Sequence, residues 1–318
     1  MFSGPNPVRI RLSINLKKAK ISITTTSFGK YDERPLLPLR AAFEIALNPY
    51  GRKLKKEEVV ELCRGSIGII AGTEPLSADV LEALPGLKVI SRCGTGLDNV
   101  DMAAAGRLGI EVFNTPDAPT RAVAELTAGL ILNLLRKINE MDSSVRAGRW
   151  EKLMGNLLIG KNAGIIGFGR IGRASASLLQ SLGCAIAFTD PFVEQEMPPI
   201  MRLSLHELLD FADIVIIHVS SSDIIMGAAE LKMMRKGGWL INVSRGGTVD
   251  ENALFDSLKS GHLSGAAIDV FRHEPYEGKL RELKNIILTP HVGSYAVESR
   301  VEMERLSAEN LLQGLGNA

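Results

Sequence analysis

Apolar and polar residues alternate along the chain with two different periods, and the shorter period appears first. Val8, Ile10, Leu12, Ile14 and Leu16 alternate with mostly polar residues. Side chains at every second position of a strand share one face, so this pattern is typical of a half-buried strand. We predict that this segment forms an added strand at the edge of a sheet.

From Lys20 onward, short apolar runs alternate with segments of helical periodicity. The runs that we predict to be strands are ISITTT, IGIIAG, KVISRC and IEVFN. Helical patterns lie between them around Leu39 to Ala46 and around Ala78 to Ala83. Such alternation is typical of a parallel sheet with helices on both faces.

A strongly apolar helix is predicted next, over Arg121 to Ile138. Its apolar positions are Val123, Leu126, Leu130, Ile131, Leu134 and Leu135. One packed face of a helix does not use so many apolar residues. The pattern indicates a helix that bridges two domains or buries a partner subunit. With the arm that follows through Trp150, it leads us to expect a homodimer.

A second alternating series completes the chain. Its predicted strands are AGIIGF, AIAFTD, DIVIIHV, GWLINVS, GAAIDV and NIILTP, with helices opening near Arg170, Leu205, Ala228 and Asp250. The last helical pattern, Glu298 to Leu312, is expected to return to the first domain. We predict an α/β protein with two doubly wound parallel-sheet domains, Rossmann or flavodoxin-like, and a cleft between them. The expected domains are 1–115 with 295–318, and 116–294.

The segment NAGIIGFGRIGR ends in Gly167, Gly169 and Gly172, spaced as G-x-G-x-x-G. In a dinucleotide-binding unit the first glycine permits a tight turn, the second admits a pyrophosphate and the third lets the helix pack on the sheet. Glycine clusters also occur in ordinary turns, but here an apolar run precedes the motif and a helical pattern follows. Asp190 lies about 20 residues further on, where an acid binds ribose hydroxyls. Because its charge would repel a 2′-phosphate, we predict NAD rather than NADP in domain 116–294.

Polar residues follow the predicted strands of the second series at the point where each strand ends. Ligands of doubly wound sheets bind outside the carboxyl ends of the strands. Polar residues are expected at strand ends in any case, but several around one edge favour a site. Those residues, with the first glycine of the motif, are Gly167, Asp190, His218, Ser244, Arg245, Asp269 and His291.

Three of the polar residues near these strand ends carry the candidate chemistry. Arg245 precedes two glycines and can bind a substrate carboxylate through two parallel hydrogen bonds, although a surface arginine that caps a loop is the alternative. His291 can exchange a proton near neutral pH. Glu274 can orient an imidazole and favour its protonated form, or can be an ordinary exposed acid. Sequence spacing alone does not pair Glu274 with His291.

In the first domain, the segment SRCGTGLDNVD follows a predicted strand. The amides of Gly94, Thr95 and Gly96 can form a nest that binds an anion, with Arg92 beside it. Turn formation explains the two glycines equally well.

Composition narrows the class of partner. The formal net charge is +1 and 45% of the 318 residues are hydrophobic, which argues against a nucleic-acid-binding or membrane-associated protein. Cys63, Cys93 and Cys184 are widely spaced and indicate neither a disulfide framework nor a metal site. The N-terminal residues lack the apolar stretch of a secretory signal, so we expect a cytoplasmic protein.

Several ordered motifs together resemble the D-isomer-specific 2-hydroxyacid dehydrogenases. The motifs are RCGTGLDNVD, FNTP with AVAELT, GRWEKLMG, GIIGFGRIGR, INVSRGGTVDENAL, AAIDVF and ILTPHVGS. The resemblance implies that Arg245 binds the carboxylate of a 2-hydroxy or 2-keto acid, that His291 is the general acid/base and that Glu274 supports the histidine. Together with the nest beside Arg92, this leads us to expect substrate contacts at Arg92, Gly94, Thr95, Gly96 and Arg245. The resemblance further implies NAD contacts at Thr95, Gly167, Gly169, Arg170, Ile171, Gly172, Asp190, Val219, Val243, Ser244, Arg245, Asp269, His291, Gly293 and Ser294, with Asp269 binding the nicotinamide carboxamide.

Two departures from the family pattern concern different ligands. We expect the first to alter the adenine or pyrophosphate side of the cofactor pocket, and the second leaves the substrate open. VSSSDII replaces the usual Pro-Leu-Thr after His218, and Asp117 stands where an uncharged polar residue is usual in relatives that act on phosphorylated acids. A reductase of glyoxylate or hydroxypyruvate is one alternative. An NAD(H)-sensing binding protein, like the C-terminal-binding corepressors that share this fold, is another.

Overall fold

The structure, a computed structural model, describes residues 19–195 and 197–317 and divides them into two compact units. The predicted edge strand from Val8 to Leu16 lies outside the described residues. The first unit contains the described residues through Pro119 and those from Ala296 onward, and the second is Thr120–Tyr295. The first division of the chain lies slightly beyond the expected residue 115, since Ala118 accepts a hydrogen bond from Ser299 within the first unit.

The first unit contains a five-stranded parallel sheet in the order β2-β1-β3-β4-β5. Its strands are β1 (Lys20–Ile23), β2 (Glu44–Leu47), β3 (Ser66–Ala71), β4 (Val89–Arg92) and β5 (Glu111–Phe113). Its helices are α1 (Leu36–Ala42), α2 (Lys56–Cys63), α3 (Ala78–Glu82), α4 (Met102–Arg107) and α11 (Val297–Asn317). Helix α11 packs on β3, where a Cβ at Gly68 would lie 2.8 Å from the Leu311 side chain.

One helix predicted in this unit is wrong in extent. The pattern from Leu39 to Ala46 indicated a single helix, but α1 ends at Ala42 and residues 44–47 form β2. Strand β2 pairs with β1 in parallel, with Glu44 opposite Lys20. The open edge of β1 decides the conformation of residues whose own sequence is also compatible with a helix.

The second unit contains a seven-stranded parallel sheet in the order β12-β11-β10-β9-β6-β7-β8. Its strands are β6 (Asn162–Ile166), β7 (Ala185–Thr189), β8 (Met201–Arg202), β9 (Ile214–Ile217), β10 (Trp239–Asn242), β11 (Gly265–Ile268) and β12 (Ile286–Leu288). Its helices are α5 (Thr120–Arg136), α6 (Ile138–Arg146), α7 (Arg170–Ser181), α8 (Leu205–Phe211), α9 (Ala228–Met233) and α10 (Glu251–Lys259), with a short 3-10 helix at Lys279–Glu282. The predicted α/β architecture with parallel sheets is confirmed.

The two faces of this sheet are covered by separate apolar cores. Helices α5 and α7 pack on one face around Phe168 and Phe188, whose rings stack. Helices α8, α9 and α10 cover the other face around Leu208 and Leu240. Because both faces are covered, ligands reach this sheet at its strand ends.

The predicted helix from Arg121 to Ile138 is α5, and its apolar residues are used within its own unit. Val123, Leu130, Ile131 and Leu135 are buried in the core on β6 and α7. Leu126 and Leu134 pack against the same core. Helix α5 ends before Lys137, which adopts a left-handed conformation with φ 53°. In the described part of the chain, no helix combines the length and apolarity needed to cross a membrane.

Candidate active site

The glycine loop joins β6 to α7 in the second unit. Gly167 has φ +93°, a conformation that favours glycine, and a Cβ there would lie 2.5 Å from the carbonyl oxygen of His218. A Cβ at Gly172 would lie 2.2 Å from the carbonyl oxygen of Gly167, so this glycine allows the close approach of helix and loop. At Gly169, which caps α7, a Cβ would meet no described atom within 4 Å. This open space beside exposed helix amides fits a dinucleotide pyrophosphate.

Asp190 follows β7, the strand next to β6. Its Oδ2 accepts a hydrogen bond from the Phe168 amide at 2.6 Å, and its Oδ1 accepts one from the Phe192 amide at 2.8 Å. The carboxylate is therefore held against the glycine loop. That position fits the predicted contact with a ribose near the pyrophosphate site.

The loop after β10 presents Arg245 and is organised by a residue that the sequence analysis did not single out. Asn242, buried at the end of β10, accepts a hydrogen bond from the Ser244 hydroxyl at 2.8 Å and donates one to Thr248 at 3.0 Å. The main-chain oxygen of Arg245 accepts a hydrogen bond from Thr248 at 2.8 Å. A Cβ at Gly246 would lie 1.8 Å from the carbonyl oxygen of Phe271, so the loops after β10 and β11 are in direct contact.

Asp269 follows β11 and is fully buried. Its Oδ1 accepts hydrogen bonds from the Thr289 hydroxyl at 2.6 Å and the Val292 amide at 2.8 Å. Its Oδ2 accepts one from the Gly293 amide at 2.9 Å. Burial raises the pKa of the Asp269 carboxyl, while these hydrogen bonds lower it. The carboxylate thus holds the loop after β12, which carries His291.

His291 and Glu274 are in contact. The His291 Nδ1 lies 3.2 Å from Oε1 and 3.1 Å from Oε2 of Glu274, so the structure brings together two residues that spacing alone did not pair. His291 has φ 56°, an uncommon conformation for a residue other than glycine. Its amide donates to the main-chain oxygen of Asp269 at 2.8 Å. The Phe271 amide donates to Glu274 Oε1 at 3.1 Å, which fixes the carboxylate.

The contact with Glu274 sets the electrostatics of the histidine. The hydrogen bond to Glu274 raises the pKa of His291, burial opposes it, and the negative charges of Glu274 and Asp269 raise the pKa further. The positive charge of Arg245 lowers it. Arg245 is therefore close enough to act on the imidazole electrostatically. The predicted catalytic residues of this unit form one charged cluster at the carboxyl ends of β10, β11 and β12.

In the first unit, Arg92 is the last residue of β4 and the predicted nest follows it. The Gly94 amide already donates to the Thr115 hydroxyl at 2.8 Å and to the main-chain oxygen of Arg92 at 3.0 Å. Of the three amides of the predicted nest, that of Gly94 is therefore already used within the unit. Arg92 itself donates to the main-chain oxygen of Cys93.

The remaining predicted residues follow the strands as expected from the topology. Arg170 and Ile171 begin α7, and Val219 follows β9 after His218. Val243 and Ser244 follow β10, and Gly293 and Ser294 follow His291. Sequence reasoning missed Asn242, Thr289 and Ser175. The position of Asn242 and Thr289 beside strand ends was the available signal, whereas Ser175 lies within α7 and only its hydrogen bond to His218 reveals it.

Comparison with known proteins identifies the family. The family model described as D-isomer specific 2-hydroxyacid dehydrogenase, NAD binding domain, matches residues 128–293. A D-3-phosphoglycerate dehydrogenase of Pongo abelii is 39% identical over 259 residues, 78% of this chain and 49% of that protein. A glyoxylate reductase of Thermofilum pendens is 40% identical over 255 residues, 76% of this chain and 75% of that protein. The crystal structure of the TT0316 protein of Thermus thermophilus superposes with TM-score 0.86 and 34% identity, covering 94% of this chain and 97% of that one.

The chain spans about half the length of the phosphoglycerate dehydrogenase that it matches, with 49% of that protein covered. The glycine loop and the open space at Gly169 agree with the NAD binding domain that the family model describes. The cofactor is therefore NAD(H), and the chain belongs to the D-isomer specific 2-hydroxyacid dehydrogenase family.

Proposed function

We propose that the chain interconverts a D-2-hydroxy acid and its 2-keto acid with NAD(H). The observation that carries this proposal is the contact of His291 with Glu274, 3.1 Å apart, beside the positive charge of Arg245. A histidine whose pKa is raised by a carboxylate is suited to donate a proton near neutral pH. A pure NAD(H)-binding protein does not require such a group.

In this proposal the two ring nitrogens of His291 have different tasks. Nδ1 of His291 is held by Glu274, so Nε2 is the nitrogen that exchanges a proton with the substrate oxygen. During reduction of a 2-keto acid, His291 Nε2 donates this proton to the carbonyl oxygen, and during oxidation it takes the hydroxyl proton back. Arg245 binds the substrate carboxylate and polarises the carbonyl. The nicotinamide, when bound, exchanges a hydride with the substrate C2.

For the substrate we propose 3-phosphoglycerate and its keto form, phosphohydroxypyruvate. Arg92 and the amides of Thr95 and Gly96 support a second anionic group. Asp117 is exposed in the same unit and favours the alternative, glyoxylate or hydroxypyruvate, because its charge disfavours a phosphorylated acid. A phosphoglycerate dehydrogenase and a glyoxylate reductase both match the chain, which supports testing both classes of substrate.

The test is the rate of NADH oxidation with phosphohydroxypyruvate, hydroxypyruvate and glyoxylate at the same pH and low salt. If the unphosphorylated acids have a kcat/KM higher by tenfold or more, about 1.4 kcal/mol of transition-state preference, the alternative replaces our first candidate. Asp117→Asn then recovers the phosphorylated substrate if that charge is the cause. Asp256→Asn, a matched exposed change on α10, leaves the preference unaltered. NADH binding without turnover of any acid would favour a binding protein.

We also propose a homodimer, with the arm after α6 as the contact. Trp150 and Met154 are 82% and 89% exposed, and Leu157 and Ile159 are 69% and 66% exposed. Apolar side chains exposed in such a run are typical of a protein interface. The apolar pattern of helix α5 also suggested a dimer contact. Those apolar residues pack in the core of their own unit, so α5 does not support the dimer. The three buried, free cysteines suit a reducing compartment, and we place the protein in the cytoplasm.

A further inference from the structure

His218 lies at the topological switch point of the seven-stranded sheet. Strand β6 lies between β9 and β7, so the chain runs outward from β6 on one side and from β9 on the other. Ligands of doubly wound sheets bind at this point, outside the carboxyl ends of the two central strands. Gly167 follows β6 and His218 follows β9, and the His218 amide donates to the main-chain oxygen of Ile166 at 2.7 Å.

The imidazole of His218 connects the end of β9 to the helix of the glycine loop. Its Nε2 lies 2.8 Å from the hydroxyl oxygen of Ser175, which is 1% exposed in the second turn of α7. The main chain of His218 also lies against Gly167, where a Cβ would be 2.5 Å from the His218 carbonyl oxygen. One residue therefore contacts the glycine loop through its main chain and α7 through its side chain.

The imidazole of His218 is uncharged at physiological pH. Burial lowers its pKa to about 3, so the ring is neutral at physiological pH and does not pair with a phosphate as a cation. A neutral imidazole has one donor and one acceptor nitrogen, and a serine hydroxyl can take either role. The contact with Ser175 is thus a hydrogen bond between neutral groups, and its contribution is geometric.

The other ring nitrogen of His218, Nδ1, differs from Nε2 in its hydrogen bonding. Nδ1 is buried and has no hydrogen-bond partner among the described residues. A buried polar atom without a partner destabilises a fold, whichever tautomer the ring adopts. Among the described residues, the side-chain hydrogen bond of His218 is therefore the one between Nε2 and Ser175.

We propose that His218 is a positioning residue for the dinucleotide, which through Ser175 sets the spacing between the glycine-loop amides and the loop that follows β9. The inference goes beyond the proposed reaction and rests on the cofactor alone, so the identity of the keto acid does not affect it. The amides at the start of α7 bind a pyrophosphate only when they lie at hydrogen-bond distance from it. A small shift of α7 therefore weakens all of these hydrogen bonds at once.

Two replacements of the histidine separate its nitrogens. The amide of Gln reaches as far as Nε2, whereas the amide of Asn ends near Nδ1. H218Q is expected to keep the bond to Ser175 and an NADH Kd close to that of the wild-type chain. H218N and S175A lose the bond, and α7 is then free to shift. We expect the NADH Kd to rise by about tenfold, which corresponds to one weakened hydrogen bond between a displaced α7 amide and the pyrophosphate. The double variant H218N/S175A is expected to show no further loss.

The measurement is NADH fluorescence titration without keto acid, together with Tm and, at saturating NADH, the KM of the keto acid. Matched controls are S181A, an exposed serine on the same helix, and H206N on α8, and both are expected to bind NADH normally. The keto-acid KM is expected to stay constant in every variant, since Ser175 and His218 act on the cofactor.

Unchanged NADH binding in H218N and S175A, with only a lower Tm, would show that the pair is structural and would overturn the proposal. The proposal also fails if H218Q binds NADH as poorly as H218N, because the reach to Ser175 is then irrelevant. S175A removes a single oxygen atom and keeps the test valid if a histidine variant fails to fold. If the wild-type chain does not bind NADH, the cofactor assignment is refuted and this proposal falls with it. If the wild-type chain binds NADH and the variants bind it equally well, only this proposal is refuted.

Discussion

Replacement of Glu274 by Gln tests the proposed role of His291 directly. Gln keeps the size of the side chain and one acceptor oxygen but removes the negative charge. In the structure, the hydrogen bond to Glu274 is the largest cause of the raised pKa of His291, and the carboxylate charge adds to it. Burial and the charge of Arg245 act in the opposite direction and remain in the variant. The E274Q change therefore lowers the pKa of His291.

The size of the effect follows from distance and exposure. Two unit charges about 4 Å apart interact by about 1 kcal/mol in water and about 4 kcal/mol at the effective dielectric constant near a protein surface. The side chains of His291 and Glu274 are 50% and 40% exposed, so the lower end applies. About 1 kcal/mol corresponds to a roughly fivefold change in the fraction of imidazolium at pH values well above the pKa.

The sign of the pH dependence is fixed by the reaction. Keto-acid reduction needs the imidazolium, which is present below the pKa of His291 and is lost as pH rises through it. Because Glu274 raises that pKa, the loss in E274Q begins at a lower pH. Hydroxy-acid oxidation needs the neutral imidazole, so its acidic limb also moves to lower pH. The variant is expected to lose reduction at high pH and to gain oxidation at low pH.

The assay is kcat/KM for the keto acid, with saturating NADH, across the pH range in which histidine titrates. E277Q is the matched control, since Glu277 is an exposed acid of the same loop, and its profile should superimpose on the wild-type profile. An E274Q profile that is unchanged, or whose reduction limb moves to higher pH, would show that Glu274 does not control the proton on His291.

Three further outcomes are expected. His291→Ala lowers kcat for reduction by roughly 10²–10⁴-fold, the usual contribution of a general acid, while the NADH Kd changes little. H273A is the control, and near-normal turnover of the His291 variant would mean that another group donates the proton. Asp190→Ala narrows the preference in kcat/KM for NAD over NADP because the charge that repels a 2′-phosphate is gone; equal values for the two cofactors in the wild-type chain would contradict this. Met154→Lys weakens the proposed dimer in sedimentation, since a charge in an apolar contact must be desolvated; a wild-type chain that is monomeric at all concentrations would refute the dimer.

The regular part of the fold was predictable because the strands are nearly continuous apolar runs. Strands β6, β9, β10 and β11 are buried on both faces, and such runs separated by helical patterns favour a parallel sheet whatever the tertiary context. Strand β2 was not predictable in this way. Residues 44–47 carry a partly exposed pattern, and pairing with β1 rather than local sequence makes them a strand.

The location of the site was predictable for a topological reason, but its internal contacts were not. Parallel strands bring their carboxyl ends to one edge, so polar residues after β10, β11 and β12 had to share it. The pairing of Glu274 with His291 depends instead on two loops whose conformations the sequence pattern does not define. The φ of 56° at His291 and the close approach of Gly246 to Phe271 are properties of the folded loops.

Asp269 shows how the two kinds of information combine. The family resemblance implied a contact with the nicotinamide carboxamide, and the strand pattern placed the residue at the correct edge. In the structure the carboxylate already accepts three hydrogen bonds, from the Thr289 hydroxyl and from the amides of Val292 and Gly293. The main-chain oxygen of Asp269 accepts a further hydrogen bond, from the His291 amide. A buried carboxylate with these hydrogen bonds holds the loop of the proposed proton donor in place, so we expect its influence on proton transfer to run through the position of His291.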